Sequence, residues 1–180
     1  MLIRIAGLLP VTLVNGEGVR YAVFVQGCPH ACKGCHNPDT HPFDGGRLMD
    51  TAEIIAEIRR KRKLLDGVTL SGGEPMCQTK ACKEIADAAH EMGLNVWCYT
   101  GFTWESLIEK ADPRRMSLLD SVDVLVDGPY IEGLRSPDLL WRGSKNQRVI
   151  KLKEEEYAID RCGCAANLDA ENDRLSYSAL

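Results

Sequence analysis

Three cysteines stand within eight positions of the segment FVQGCPHACKGCHNPDTH, which runs from Phe24 to His41. Cys28, Cys32 and Cys35 follow the spacing CxxxCxxC, and His30, His36 and His41 lie between and after them. Thiols this close suit a structural zinc ion, a disulfide, a nucleophile or an iron–sulfur cluster. A zinc knot takes four ligands, so a histidine or one of Cys162 and Cys164 would have to complete it. A four-iron cubane is closed by four thiolates, and three leave one iron open, much as catalytic zinc keeps a position for substrate. A second feature, SGGEP from Ser71 to Pro75, sets two glycines beside an acid. Gly72 and Gly73 let backbone approach a ligand closely, and Glu74 is able to accept hydrogen bonds from an ammonium group.

These residues need a scaffold, and the chain supplies strands alternating with helices. LIRIAGL and VRYAVFVQG read as strands joined by the turn NGEG, followed by a long loop from Gly27 to Arg47 rich in Gly, Pro, Cys and His. DTAEIIAEIRRKRKLLDG reads as a helix with Asp50 as cap and Glu53 three residues on. GVTLSGGEP is a buried strand running into a turn, TKACKEIADAAHEMG a helix closed by Gly93, and NVWCYTG a strand. TWESLIEKA is a helix capped by Thr103, SVDVLVDGPY a strand, and QRVIKLK a last strand. This order predicts βαβ units and a parallel sheet. The expected fold is α/β, a partial open barrel, because the strands are too few for a closed eight-fold one. Functional residues of such sheets gather at the carboxyl ends of strands. Cys28, the Ser71–Pro75 turn, Tyr99–Gly101 and Asp127–Pro129 all fall there.

Bulk properties narrow the function classes. A chain of 180 residues fits one domain, here taken as residues 1–157, with a polar tail over 158–180. The formal net charge of −4 gives no general basis for nucleic-acid binding. No run approaches the roughly 18 apolar residues that span a bilayer. The start, MLIRIAGLLPVTLVNGEG, is broken by Pro10 and lacks the form of a signal peptide. The expected compartment is therefore a reducing cytoplasm, where close cysteines mean metal or redox chemistry.

The two motifs together resemble the radical S-adenosylmethionine superfamily, whose CxxxCxxC loop is followed by a GGE or GGEP turn. VQGCPHACKGCHNPDT, LSGGEP, YTG, DVLVDGPY and LLWRGSKNQRVI resemble, in order, the anaerobic ribonucleotide-reductase activating proteins, from about Val14 to Leu152. Many larger radical enzymes carry an aromatic residue before the third cysteine; Gly34 stands there, as in the small activases. The resemblance implies that Cys28, Cys32 and Cys35 ligate a [4Fe–4S] cluster whose open iron chelates S-adenosylmethionine. It implies that backbone around Gly34, Cys35 and His36 contacts the adenine, and that Gly72, Gly73 and Glu74 hold the methionine amino end. Asp127 would reach the ribose or order the site. No catalytic side chain is implied beyond the cluster site.

The implied reaction is reductive cleavage of the cofactor, fed by a flavodoxin- or ferredoxin-like donor. The radical so formed removes the α-hydrogen of a glycine in an anaerobic ribonucleoside-triphosphate reductase. Alternatives are an activase of another glycyl-radical enzyme of the pyruvate formate-lyase type, a small-molecule radical synthase, or a non-catalytic metal- or cluster-binding module. The last leaves the GGEP turn unexplained. The three histidines read as spacers, and Cys77, Cys82 and Cys98 as small packing residues or, alternatively, ligands of an auxiliary cluster. Cys162 and Cys164 have no implied catalytic role. The basic run Arg59–Lys63 reads as solvated surface, with a docking patch for an electron donor as the alternative.

Overall fold

The computed structural model describes residues 1–153, so the tail, with Cys162 and Cys164, lies outside the described residues. Seven strands form one sheet: β1 (Leu2–Thr12), β2 (Arg20–Val25), β3 (Arg47–Asp50), β4 (Gly67–Gly72), β5 (Asn95–Tyr99), β6 (Val124–Asp127) and β7 (Arg148–Lys151). Four helices accompany them: α1 (Thr51–Lys61), α2 (Thr79–Glu91), α3 (Trp104–Lys110) and α4 (Pro113–Leu119). The strand order is β3-β1-β2-β4-β5-β6-β7. The order is linear, so the α/β sheet is open, with β3 and β7 at its edges.

The expectation of a parallel sheet holds for the middle only. The ladders β2/β4, β4/β5 and β5/β6 are parallel, while β1/β2, β1/β3 and β6/β7 are antiparallel. Connection length explains this. Between β1 and β2 there is room only for a turn, which enforces antiparallel pairing, whereas the helical crossovers between β4, β5 and β6 return the chain in parallel. Two elements escaped the sequence reading. The short, largely polar β3 has no apolar alternation, and it exists because β1 offers it an edge, with Leu2 opposite Asp50 and Ile5 opposite Arg47. Helix α4 had a legible start: Asp112 accepts a hydrogen bond from Arg114 N (2.9 Å), with Pro113 in the first turn.

Side-chain alternation gives the sheet two unlike faces. Tyr21, Val23, Val25, Val68, Leu70, Val96, Cys98 and Leu125 face the helices and pack against Ile54 and Ile58 of α1 and Cys82, Ile85 and Ala89 of α2. Trp97, Val124 and Val126 face the other way, joined by Tyr99 and Trp141. That second face carries none of the four α-helices of the described residues. The 13–19 turn and the 128–147 connection lie over it, and both contribute to the wall of a cavity. No helix among the described residues is long and apolar enough to cross a membrane.

Candidate functional site

The cavity has a volume of about 350 Å³, and Cys28, Cys32 and Cys35 are all in its wall. Its floor is the helix-free sheet face, represented by Phe24, Ser71 and Tyr99. The cysteine loop leaves β2 at its carboxyl end and is closed at its root by Gly27 N donating to Thr40 O (2.8 Å) and Cys28 N to His41 O (3.1 Å). Gln26 is buried and its amide donates to the carbonyls of Asp39 and Pro42, pinning the returning half of the loop. Inside the loop, Cys35 N donates to Cys32 O (3.1 Å), and Asn37 N reaches Cys35 Sγ at 3.4 Å. Burial pushes the Cys28 thiol up to about 11, with a smaller opposing effect from a backbone hydrogen bond and a further upward push from Glu74.

The Ser71–Pro75 turn backs directly onto this loop. Gly73 N donates to Val25 O (2.7 Å) and Glu74 N to Gly27 O (2.8 Å). Both glycines are required sterically. Gly72 has φ +93°, and a Cβ there would lie 2.6 Å from Phe24 Cα. A Cβ on Gly73 would lie 2.5 Å from the Gly27 carbonyl oxygen. Gly72 and Gly73 line the cavity.

The carboxylate of Glu74 sits beneath them with no exposed surface. Its Oε1 accepts from Met76 N (3.0 Å) and Thr100 Oγ1 (2.9 Å). Its Oε2 accepts from Gly101 N (2.9 Å) and from His30 Nε2 (2.7 Å).

Two histidines thereby gain structural partners that the sequence did not reveal. His30 joins Glu74 and sets its ring edge-on to Phe102 at 4.5 Å. His36 lies 4.7 Å from the Tyr130 ring. Gly34 occupies the tip of the loop, against the carboxylate of Glu132, while Cys35 and His36 face the cavity. Asp127 is placed elsewhere. It is buried and accepts from Trp104 N (2.7 Å), Arg148 Nε (3.1 Å) and Arg148 Nη2. It therefore ties β6 to the start of α3 and to β7, while its neighbour Gly128 reaches the cavity wall. Cys82 and Cys98 are buried in the main core, as packing residues are, and Cys77 is exposed.

The WRGSKNQR segment forms the outer wall. Trp141 adopts φ +57°, a left-handed conformation uncommon for a bulky residue. It is held there by Tyr99 Oη donating to its carbonyl (2.8 Å) and by Trp97, edge-on at 5.4 Å. Gln147 secures the next residues, accepting from Gly143 N (2.8 Å) and Ser144 N (3.2 Å) and donating to Gly128 O (3.0 Å). Arg142 and Gly143 thus join the cavity lining.

The donor set fits a cluster. Among the described residues, no three or more His, Cys, Asp or Glu side chains converge on a point as ligands of one metal ion do. Thiolates around a cubane each take a different iron and so surround a volume. Cys28, Cys32 and Cys35 all line the one cavity, in keeping with that arrangement, and His30 is held by Glu74.

Residues 14–150 match the family described as "4Fe-4S single cluster domain". Curated relatives carry the name "Anaerobic ribonucleoside-triphosphate reductase-activating protein", among them the three that follow. The one from Haemophilus influenzae is 35% identical over 80% of this chain and 95% of its own. The one from Vibrio cholerae is 38% identical over 78% of this chain and 92% of its own. The one from Enterobacteria phage T4 is 35% identical over 79% of this chain and 90% of its own. The crystal structure of QueE from Escherichia coli covers 57% of this chain and 54% of its own, at 19% identity and a TM-score of 0.49, too slight a likeness to carry function. The cysteine loop, the glycine turn packed on it and near full-length similarity converge: this chain belongs to the 4Fe-4S single cluster family and, within it, to the anaerobic ribonucleoside-triphosphate reductase-activating proteins.

Proposed function

We propose that the chain is a radical S-adenosylmethionine activase that generates a glycyl radical on an anaerobic ribonucleoside-triphosphate reductase. The observation that carries this reading is the junction of the two motifs. Three thiols line the cavity, and the glycine turn beside them is fastened to the cysteine loop through Glu74 N and Gly27 O at 2.8 Å. Cys28, Cys32 and Cys35 would hold a [4Fe–4S] cluster, which, once reduced, would supply the electron for reductive cleavage of S-adenosylmethionine.

The chain's own residues do the positioning. The thiol side chains come from one loop whose root is pinned by Gln26, Thr40 and His41. Backbone of Gly72 and Gly73 would receive the methionine end of the cofactor, and backbone around Gly34, Cys35 and His36 the adenine. Asp127 orders the far side through Arg148 and α3. The cavity opens to solvent, consistent with a substrate that is a backbone α-carbon on another polypeptide. A flavodoxin- or ferredoxin-like protein serves as donor, the cytoplasm is the compartment, and neither nucleic acid nor membrane takes part.

The test is anaerobic reconstitution with iron and sulfide, then dithionite and S-adenosylmethionine. We expect 5′-deoxyadenosine, and a glycyl radical by electron paramagnetic resonance when the reductase is added. Absence of both iron–sulfur absorption and 5′-deoxyadenosine would refute the reading, and a radical formed only on another glycyl-radical enzyme would reassign the partner.

A further inference from the structure

Resting on the cluster reading above, we infer that Glu74 acts on the cofactor as a positioning residue paired with His30, and not as the ligand of its ammonium group. A carboxylate offers about four acceptor directions. All four are taken within the chain, by Met76 N, Thr100 Oγ1, Gly101 N and His30 Nε2, at 2.7 to 3.0 Å. The side chain has no exposed surface and is absent from the cavity wall, whereas Gly72, Gly73, Thr100, Gly101 and His30 are all in it. A ligand ammonium would have to displace one of these donors and leave a buried N–H or O–H without a partner.

The four donors come from three different loops. Met76 follows the glycine turn itself, Thr100 and Gly101 follow β5, and His30 lies between the first two cluster cysteines. Thr100 Oγ1 in turn accepts from Phe102 N (3.1 Å), and Phe102 packs on the His30 ring. Glu74 is thus the knot where three strand ends meet, and His30 is the thread from that knot into the CxxxCxxC loop. The pair transmits the position of the glycine turn to Cys28 and Cys32.

Two measurements test this. The first is iron retained after anaerobic reconstitution and desalting. His30→Phe and Glu74→Gln should each retain at least about five-fold less than the parent chain, and His30→Gln, which keeps a donor, should restore it to within about two-fold. The double variant His30→Phe/Glu74→Gln should be no worse than the single ones by more than about two-fold, because both break one linkage.

The second is affinity, in the cluster-bearing fraction, for S-adenosylmethionine and for its analogue lacking the amino group. Glu74→Gln should leave the ratio of the two affinities unchanged within about three-fold. A ratio that collapses by about ten-fold, worth about 1.4 kcal/mol for the ammonium contact, would overturn the proposal. Full iron retention in His30→Phe would overturn it too, and that variant stands even where Glu74→Gln fails to fold. A parent chain that takes up no iron would instead overturn the cluster reading beneath it.

Discussion

Arg20 has no exposed surface, and its guanidinium bonds to neutral oxygens. Its guanidinium donates to Thr69 Oγ1 (2.6 Å), Glu17 O (2.9 Å), Asn95 Oδ1 (2.8 Å), Val68 O (2.7 Å) and Asn95 O (3.3 Å), with the Trp97 ring 5.3 Å away. Burial lowers its pKa to about 10. Arg20 anchors the 13–19 turn, which brings Val14 and Asn15 to the cavity. Replacement by Ala strands several buried acceptors at once, so Arg20→Ala should lose about 3 kcal/mol in denaturant unfolding. Arg20→Lys should recover little, because an ammonium lacks the planar fork. At the cluster, Cys28→Ala, Cys32→Ala and Cys35→Ala should each fail to retain the full iron content of the parent chain, as measured by iron analysis and visible absorption. The cysteine motif was legible because its spacing is local in the chain, and all three thiols line the cavity. The roles of His30, Gln26 and Arg20 were not legible, because each depends on at least one partner 13 to 75 residues away.

At the scale of elements, helix α2 and strands β5 and β6 are joined at one corner by Asp123. It accepts from His90 Nε2 (2.8 Å) and Val96 N (2.6 Å) and pairs with Lys153 at 3.4 Å. Burial pushes this carboxyl up, but the hydrogen bonds from His90 and Val96 outweigh it and the net shift is downward. A depressed folded pKa means stability that is complete above the unfolded value of about 4 and lost as pH falls through the folded one. Thermal midpoints measured from pH 6 to pH 3 should therefore fall for the parent chain. Asp123→Asn should start lower at pH 6 and show a shallower fall below about pH 4. The capping at Asp50 and Thr103 was readable locally, and each accepts a backbone N–H of its helix, from Ala52 and Ser106 respectively. The edge strand β3 was not, since its only reason to be extended is the partner it finds in β1.

For the molecule as a whole, the sheet separates two charged or reactive regions. The basic run Arg59–Lys63 closes α1 and precedes the amino end of β4, whereas the thiols and the glycine turn stand at the carboxyl ends of β2 and β4. Six strand residues at about 3.3 Å each set the two ends roughly 20 Å apart. Arg59, Arg60 and Lys61 instead complement the negative end of their own helix, and Arg62 bonds to the Met92 carbonyl. We expect an electron donor that serves the cluster not to depend on this patch, which stands at the opposite end of the strands from the thiols. The triple variant Arg59→Glu/Arg60→Glu/Lys63→Glu should leave the stopped-flow rate of cluster reduction by a flavodoxin-like protein within about two-fold of the parent, since a steering effect falls away beyond a Debye length of about 10 Å.

By itself the sequence determined the CxxxCxxC and GGEP motifs and most of the strands and helices that carry them, because cysteine spacing, glycine turns and helix periodicity are local in the chain. Tertiary structure alone decided that the sheet is parallel only at its centre, that its helix-free face floors the cavity, and that Asp127 turns to Arg148 and α3. It also decided the place of Glu74. A glycine–glycine–acid turn announces a carboxylate, but whether that carboxylate faces a ligand or four internal donors depends on where Thr100, Gly101 and His30 come to rest, and burial with complete hydrogen bonding is a property of the assembled fold.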